Sequence, residues 1–258
     1  LKITRHFDRV EFVQANTQFY LDPESPLSRA ADANVPGAVL AVAKVVAEDK
    51  VSGDILVDVG GVFLGEALSQ IKASPRPDEK PGKAFTLGKL NKDRSKIVKL
   101  ASYPDNTLVV TDLVYEDQAP KVQGGEDVTD SRYVSAIIQH NFIAMPAAEY
   151  QPRRDDYRVG FFTDRITDLT SRDAAPYKDV VNRWHLVKQD PTAKISDPVN
   201  PIIWWIENTT PYEFRDLIKT AGLSWNSAFE KAGFSNAIQI KVQPDDATWD
   251  AGDIRYNV

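Results

Sequence analysis

The 258 residues carry 31 Lys and Arg against 37 Asp and Glu, a formal net charge of −6 that disfavours a nucleic-acid backbone as partner. There is no cysteine, so disulfides and thiol chemistry are excluded, and no run approaches the ~20 apolar residues that cross a bilayer as a helix. At 42% hydrophobic and 26% charged, the composition is that of a globular chain long enough for one large or two modest domains.

In chain order, strand-like runs fall at Val10–Phe12, Phe19–Leu21, Val39–Val46 and Ile55–Val59. Polar, proline-bearing breaks separate them, first at Asp22–Pro26 and later at Ser74–Asp78. Val62–Ile71 has apolar residues at helical spacing and predicts a short helix after a strand. Further strands are expected at Leu108–Tyr115 and Tyr133–Ala144, with Gln118–Asp130, which contains Gly124-Gly125 among acids, as an exposed hairpin loop between them. The pattern predicts a mostly antiparallel sheet with a few helices packed on it, an α+β layer. A boundary is expected near Pro146–Asp156, and a long extended connection over Asp164–Val199.

The last sixty residues read differently. An apolar strand, Pro201–Glu207, runs into Thr209-Thr210-Pro211 and a long helical pattern. Thr210 at the cap, Pro211 at the first helical position and Glu213 three residues after the cap predict a capping box. Phe214, Leu217, Ile218, Ala221, Trp225, Ala228, Phe229 and Ala232 then fall on one face of a 3.6-residue period, interrupted by Gly222. Gly233 suits the left-handed residue that ends a helix, with Phe234 folding back toward Phe229. A second strand, Ala237–Val242, alternates apolar and polar residues and is expected beside the first in parallel, with a right-handed crossover. The chain closes on another ordered-looking segment, DIRYNV.

These words carry a resemblance. RRDDYRVGFFTD, the run RWHLVKQDPTAKISDPVNPIIWWIENTTPYEFRDLIKTAGLSWNSAFEKAGFSNAIQIKV and DIRYNV, in that order, resemble a group of large secreted bacterial zinc-dependent metalloproteases of the metzincin kind. GDILVDVGGVFLG, LNKDRSKIVKLASYPDNTLVV and YVSAIIQHNFIAMP resemble the later part of their non-catalytic N-terminal domain. The resemblance implies an accessory sheet-rich domain over 1–150, an extended junction over 151–199 and an incomplete metzincin-like catalytic subdomain over 200–258. It also implies an extracytoplasmic location, periplasmic, outer-membrane-associated or secreted. Leu1 is not an initiator Met, so the sequence is expected to be a processed or excised piece.

In such proteases a HExxHxxGxxH-type helix supplies three zinc-binding His and a general-base Glu. This sequence contains no HExxH, and His6, His140 and His185 are isolated from one another. No catalytic, cofactor-binding or metal residue is therefore assigned. Zinc belongs to the intact enzyme, with none expected in this chain alone. What carries over is scaffold: Ile202–Ile206, Phe214–Phe229 and Ile238–Val242. Asp155 and Asp156 are the two candidate site residues. A carboxylate from a preceding segment could hold such an enzyme latent as a fourth zinc ligand. The commoner use of these acids is pairing with Arg153, Arg154 or Arg158 to fix the domain junction.

Other features have plain readings. Pro81–Leu90 departs from a phosphate-binding loop by one residue of spacing and by Leu90 where a hydroxyl is needed, so a loop and strand are expected. Asp245, Asp246, Asp250 and Asp253 lack EF-hand spacing and predict an exposed turn. Trp204 and Trp205 must point to opposite faces of a strand, which suits packing rather than one stacking platform. Asn208-Thr209-Thr210 fits a glycosylation pattern that a bacterial origin makes irrelevant. Two functions are expected as rivals. One is an N-terminal fragment of a zinc-dependent metalloendopeptidase, partnered by a missing C-terminal catalytic segment and, in the intact enzyme, a peptide or protein substrate. The other is a non-catalytic partner-binding or structural module sharing only ancestry with such proteases.

Overall fold

A computed structural model describes residues 1–73, 82–145 and 150–258. The break expected at Ser74–Asp78, the first residue of the Pro81–Leu90 run and part of the expected boundary after Met145 lie outside the described residues. The chain divides into two compact units. The first holds Leu1–Met145 and Pro152–Asn182; the second holds Arg183–Val258 with the short stretch ending at Gln151.

The first unit is mixed α+β and mainly antiparallel. Strands β1 (Lys2–His6), β2 (Arg9–Gln14), β4 (Ala38–Glu48) and β5 (Ile55–Asp58) form one sheet in the order β1-β2-β4-β5. A two-residue strand, β3 (Phe19–Tyr20), and helix α1 (Ala31–Asn34) lie between β2 and β4 in sequence. After β5 comes α2 (Gly60–Phe63), then the meander β6 (Lys89–Ser102), β7 (Asn106–Glu116) and β8 (Tyr133–Ile143), with β7 central. The β7–β8 ladder is regular from Asn106↔Ile143 to Glu116↔Tyr133, and the expected loop over Gln118–Asp130 joins the two strands. The core gathers where inward residues of both sheets meet α2: Val10, Phe12, Ala43, Val62, Phe63 and Val109 are all buried.

Three expectations are revised in this unit. The helix over Val62–Ile71 stops at Phe63. Gly65 has little helix propensity, and the Glu66 carboxylate accepts from the backbone N–H groups of Ile71 (3.2 Å) and Lys72 (2.9 Å), drawing the segment into a loop. The strand expected at the end of Pro81–Leu90 starts at Lys89 as β6 and runs on to Ser102, a length its lysines hide by masking the alternation; such charge suits an edge strand. Asp164–Val199, with the junction expected over 151–199, is not one extended connection. It holds β9 (Thr163–Asp168) and β10 (Tyr177–Val181), an antiparallel pair tied by Arg165 to Asp179 at 2.9 Å and Lys178 to Asp168 at 2.7 Å. β3 joins β9 in parallel.

The second unit is built on β11 (Ile202–Ile206), α3 (Tyr212–Leu223), α4 (Asn226–Lys231) and β12 (Ile238–Val242). β11 and β12 pair in parallel from Ile202↔Ile238 to Ile206↔Val242, as the sequence predicts. The capping box does not form. Pro211 is the N-cap itself, and Arg215 reaches back to the carbonyls of Thr210 (2.8 Å) and Asn208 (2.5 Å). The single long helix is also divided. Near the break the Ser224 hydroxyl donates to Ala221 O (2.6 Å) and the Ser227 hydroxyl to Ser224 O (3.0 Å), competing with the backbone ladder. The helix end is as predicted: Gly233 has φ 94°, Phe234 N–H donates to Phe229 O, and Gly233 N–H donates to Glu230 O, a complete Schellman motif.

Candidate functional site: an open apolar groove

Alternation along β11 sends Trp204 and Trp205 to opposite faces. Trp204 lies in a groove of about 1000 Å³ within the second unit, together with Trp184, Ile218, Trp225, Phe229 and Ile240. Three of these rings are well exposed: Trp184 at 52%, Trp204 at 44% and Trp225 at 64%. The amphipathic face predicted for the helix thus exists, yet no residue of α3 or α4 is fully buried. Gly222 brings α3 onto β12, since a Cβ there would stand 2.6 Å from Ile240 Cδ1. Among the described residues of the lining, Glu207 is the one ionisable side chain, and Thr210 adds a hydroxyl. The groove offers apolar surface rather than an acid–base or nucleophile pair.

Trp205 belongs to the other face. Its ring meets Trp249 edge-on at 5.3 Å and Tyr256 at 6.0 Å, with Lys241 Nζ 5.4 Å from its centroid. Trp249 and Tyr256 stack at 3.8 Å. The chain after β12 returns to β11, where Trp205 N–H donates to Asn257 O (2.7 Å) and Asn257 Nδ2 donates to Ile203 O (2.9 Å). Of the four acids near it, Asp253 is not in an exposed turn. It is buried and doubly paired with Arg255, Nη2 to Oδ2 at 2.5 Å. Sequence reasoning missed Trp184, Trp249 and Tyr256 because each lies outside a periodic element. Their signal was the crowding of aromatic residues at both ends of the strand-helix-strand segment.

The two candidate acids sit in the first unit. Asp156 is taken by Arg158, Nη2 to Oδ2 at 2.6 Å and Nε to Oδ1 at 2.9 Å, and this hydrogen bonding lowers its pKa. Asp155 accepts from Asp156 N–H (2.8 Å), and its own N–H donates to Asp179 O (3.0 Å). Each histidine has its own neighbours. His6 lies 3.7 Å from Glu11, His140 packs on Phe63, and His185 stands edge-on to Tyr150 at 5.3 Å. Among the described residues no three His, Asp or Glu side chains gather as a metal site. No helix among them is long and apolar enough to cross a membrane.

Residues 7–189 match DUF5117, a domain of unknown function, and the chain belongs to that family. No curated protein and no solved structure matches it.

Proposed function

We propose, from the resemblance of Arg153–Val258 to secreted zinc-dependent metalloproteases, that this chain of the DUF5117 family is the non-catalytic N-terminal part of a zinc-dependent metalloendopeptidase. Its first unit is an accessory domain, and its second is metzincin-like scaffold that backs a cleft for a peptide or protein substrate. The zinc ligands and the general base lie in residues outside these 258, and the protein works outside the cytoplasm. The observation that carries the reading is the parallel β11–β12 pair with α3 against it and an open apolar groove beside Trp204. An apolar groove of this size with little polar chemistry suits burial by another polypeptide segment. The run of words from Arg153 to Val258 supports the same conclusion.

The test is to express the whole reading frame that encodes this chain and compare it with residues 1–258 alone. The expected outcome is a HExxH motif in the frame, with peptide hydrolysis and one bound zinc in the whole product and neither in the shorter chain. A frame without such a motif, or a whole product that neither holds zinc nor cuts peptides, leaves the partner-binding module in its place.

A further inference from the structure

His140 is the histidine that packs into an apolar face, its Nε2 buried. It stands on β8 opposite Val109 of β7, and the two side chains share the face that packs on α2. Its ring lies 5.6 Å from Phe63, which in turn meets Phe142 edge-on at 5.8 Å. Nε2 is buried with no hydrogen-bond partner among the described residues. We propose that His140 is an acid-sensitive clasp, holding α2 against the β6-β7-β8 sheet while neutral and releasing it when protonated.

Among the described residues the neighbours on this face bring no compensating charge. On β7 the flanking residues of this face are Thr107 and Thr111; on β8 they are Ile138 and Phe142. β6 presents Leu100 opposite Val109, α2 presents Val62 and Phe63, and β2 and β4 add Val10, Phe12 and Ala43. The carboxylate on this side is Glu66, held by the Tyr115 hydroxyl at 2.6 Å, six residues along β7 from Val109. A proton on Nε2 therefore puts a cationic N–H against aromatic and aliphatic carbon with no acceptor. Desolvation of the partly buried ring also lowers the histidine's pKa from its ordinary 6.5. The unfolded or locally opened chain then binds the proton more readily than the closed one. The clasp is at full strength above pH 6.5 and weakens as pH falls below it.

The chain has only three histidines, so each ring can be followed by NMR titration. His140 is expected to titrate below the ordinary 6.5; titration at or above that value overturns the proposal. Hydrogen exchange supplies the second measurement. Between pH 7.5 and pH 5, amides of residues 59–72 and of β8 should lose several-fold protection after correction for intrinsic exchange, while His140→Phe, which keeps an apolar ring, should show no such loss. An equal loss in His140→Phe, or none in the parent chain, also overturns it. Should the variant not fold, the titration still decides.

Discussion

Gly222 of α3 lies against Ile240 of β12 so closely that a Cβ would stand 2.6 Å from Ile240 Cδ1 and 3.0 Å from Cγ1. The sequence alone marks Gly222 as a helix defect costing about 1 kcal/mol relative to alanine. The structure shows it as the point where helix and strand touch. Gly222→Ala should gain helix propensity and lose packing, leaving stability within about 1 kcal/mol of the parent. In an Ile240→Val background, which removes the obstructing methyl, the same change should stabilise. A double-mutant cycle by urea unfolding measures the coupling, and additivity would show that the contact has no energetic weight.

Asn226 acts as a substitute strand. Its Nδ2 donates to Ile238 O (2.9 Å) and its Oδ1 accepts from Ile238 N–H (2.8 Å), so the side-chain amide pairs with β12 as a backbone would. Asn226→Ala should cost about 1–3 kcal/mol, since it strands a partly buried donor and acceptor. Asn226→Asp should also destabilise, because a carboxylate meets the carbonyl oxygen of Ile238. Hydrogen exchange at the Ile238 amide is the local check: it should accelerate in Asn226→Ala and much less in Asn226→Asp, which keeps the acceptor.

Asp168 is 6% exposed and accepts from Lys178 Nζ (2.7 Å) and Thr170 Oγ1 (2.6 Å). The Lys178 hydrogen bond, then that of Thr170, holds its pKa down at about 2, against an ordinary 3.8. A depressed carboxylate stabilises the fold fully above the ordinary value and loses that contribution as pH falls toward the folded one. Unfolding midpoints of the parent chain should therefore drop between pH 4 and pH 2 more steeply than those of Asp168→Asn. Parallel curves would mean that Asp168 contributes nothing to acid stability.

Tyr115 is 1% exposed and donates to Glu66 Oε1 at 2.6 Å; burial, with Glu66 beside it, pushes its pKa far up. Tyr115→Phe should cost about 1 kcal/mol, the loss of one hydrogen bond to a charged acceptor that keeps two backbone donors. Glu66→Ala should cost more, because Ile71 and Lys72 N–H lose their acceptor as well. The two urea midpoints, ranked in that order, check the assignment.

The groove gives a surface prediction. Ile218 is 43% and Trp225 64% exposed, so Ile218→Glu and Trp225→Glu should change unfolding free energy by only about 0.5 kcal/mol or less. The same changes should lower binding of an apolar fluorescent dye and any self-association at high concentration, read by fluorescence and light scattering. Unchanged dye binding would place the adhesive surface elsewhere.

The strand, helix and strand at the end of the chain were legible because their apolar residues follow period 2 and period 3.6, and Gly233 marks the helix end whatever lies around it. β2, β4, β5, β7 and β8 were legible for the same reason. β9, β10 and most of β6 were not, because their residues face ion pairs and solvent, so no apolar alternation survives. The capping box and the Val62–Ile71 helix failed where nearby groups took the amides: the Glu207 carbonyl accepts from Thr210 N–H (3.0 Å), and Glu66 accepts from Ile71 and Lys72 N–H. Of the groove, Trp204 and the helix face could be read, and Trp184 could not.

By itself the sequence determined the parallel β11–β12 pair, the opposed tryptophans and the isolation of the histidines along the chain, because these follow from periodicity and spacing within short segments. Only the tertiary structure decided that Gly222 seats a strand and that His140 is wedged against Phe63, its Nε2 without a hydrogen-bond partner among the described residues. Those outcomes depend on which side chains reach one another across the fold, and side chains competing for one partner leave no trace in local pattern.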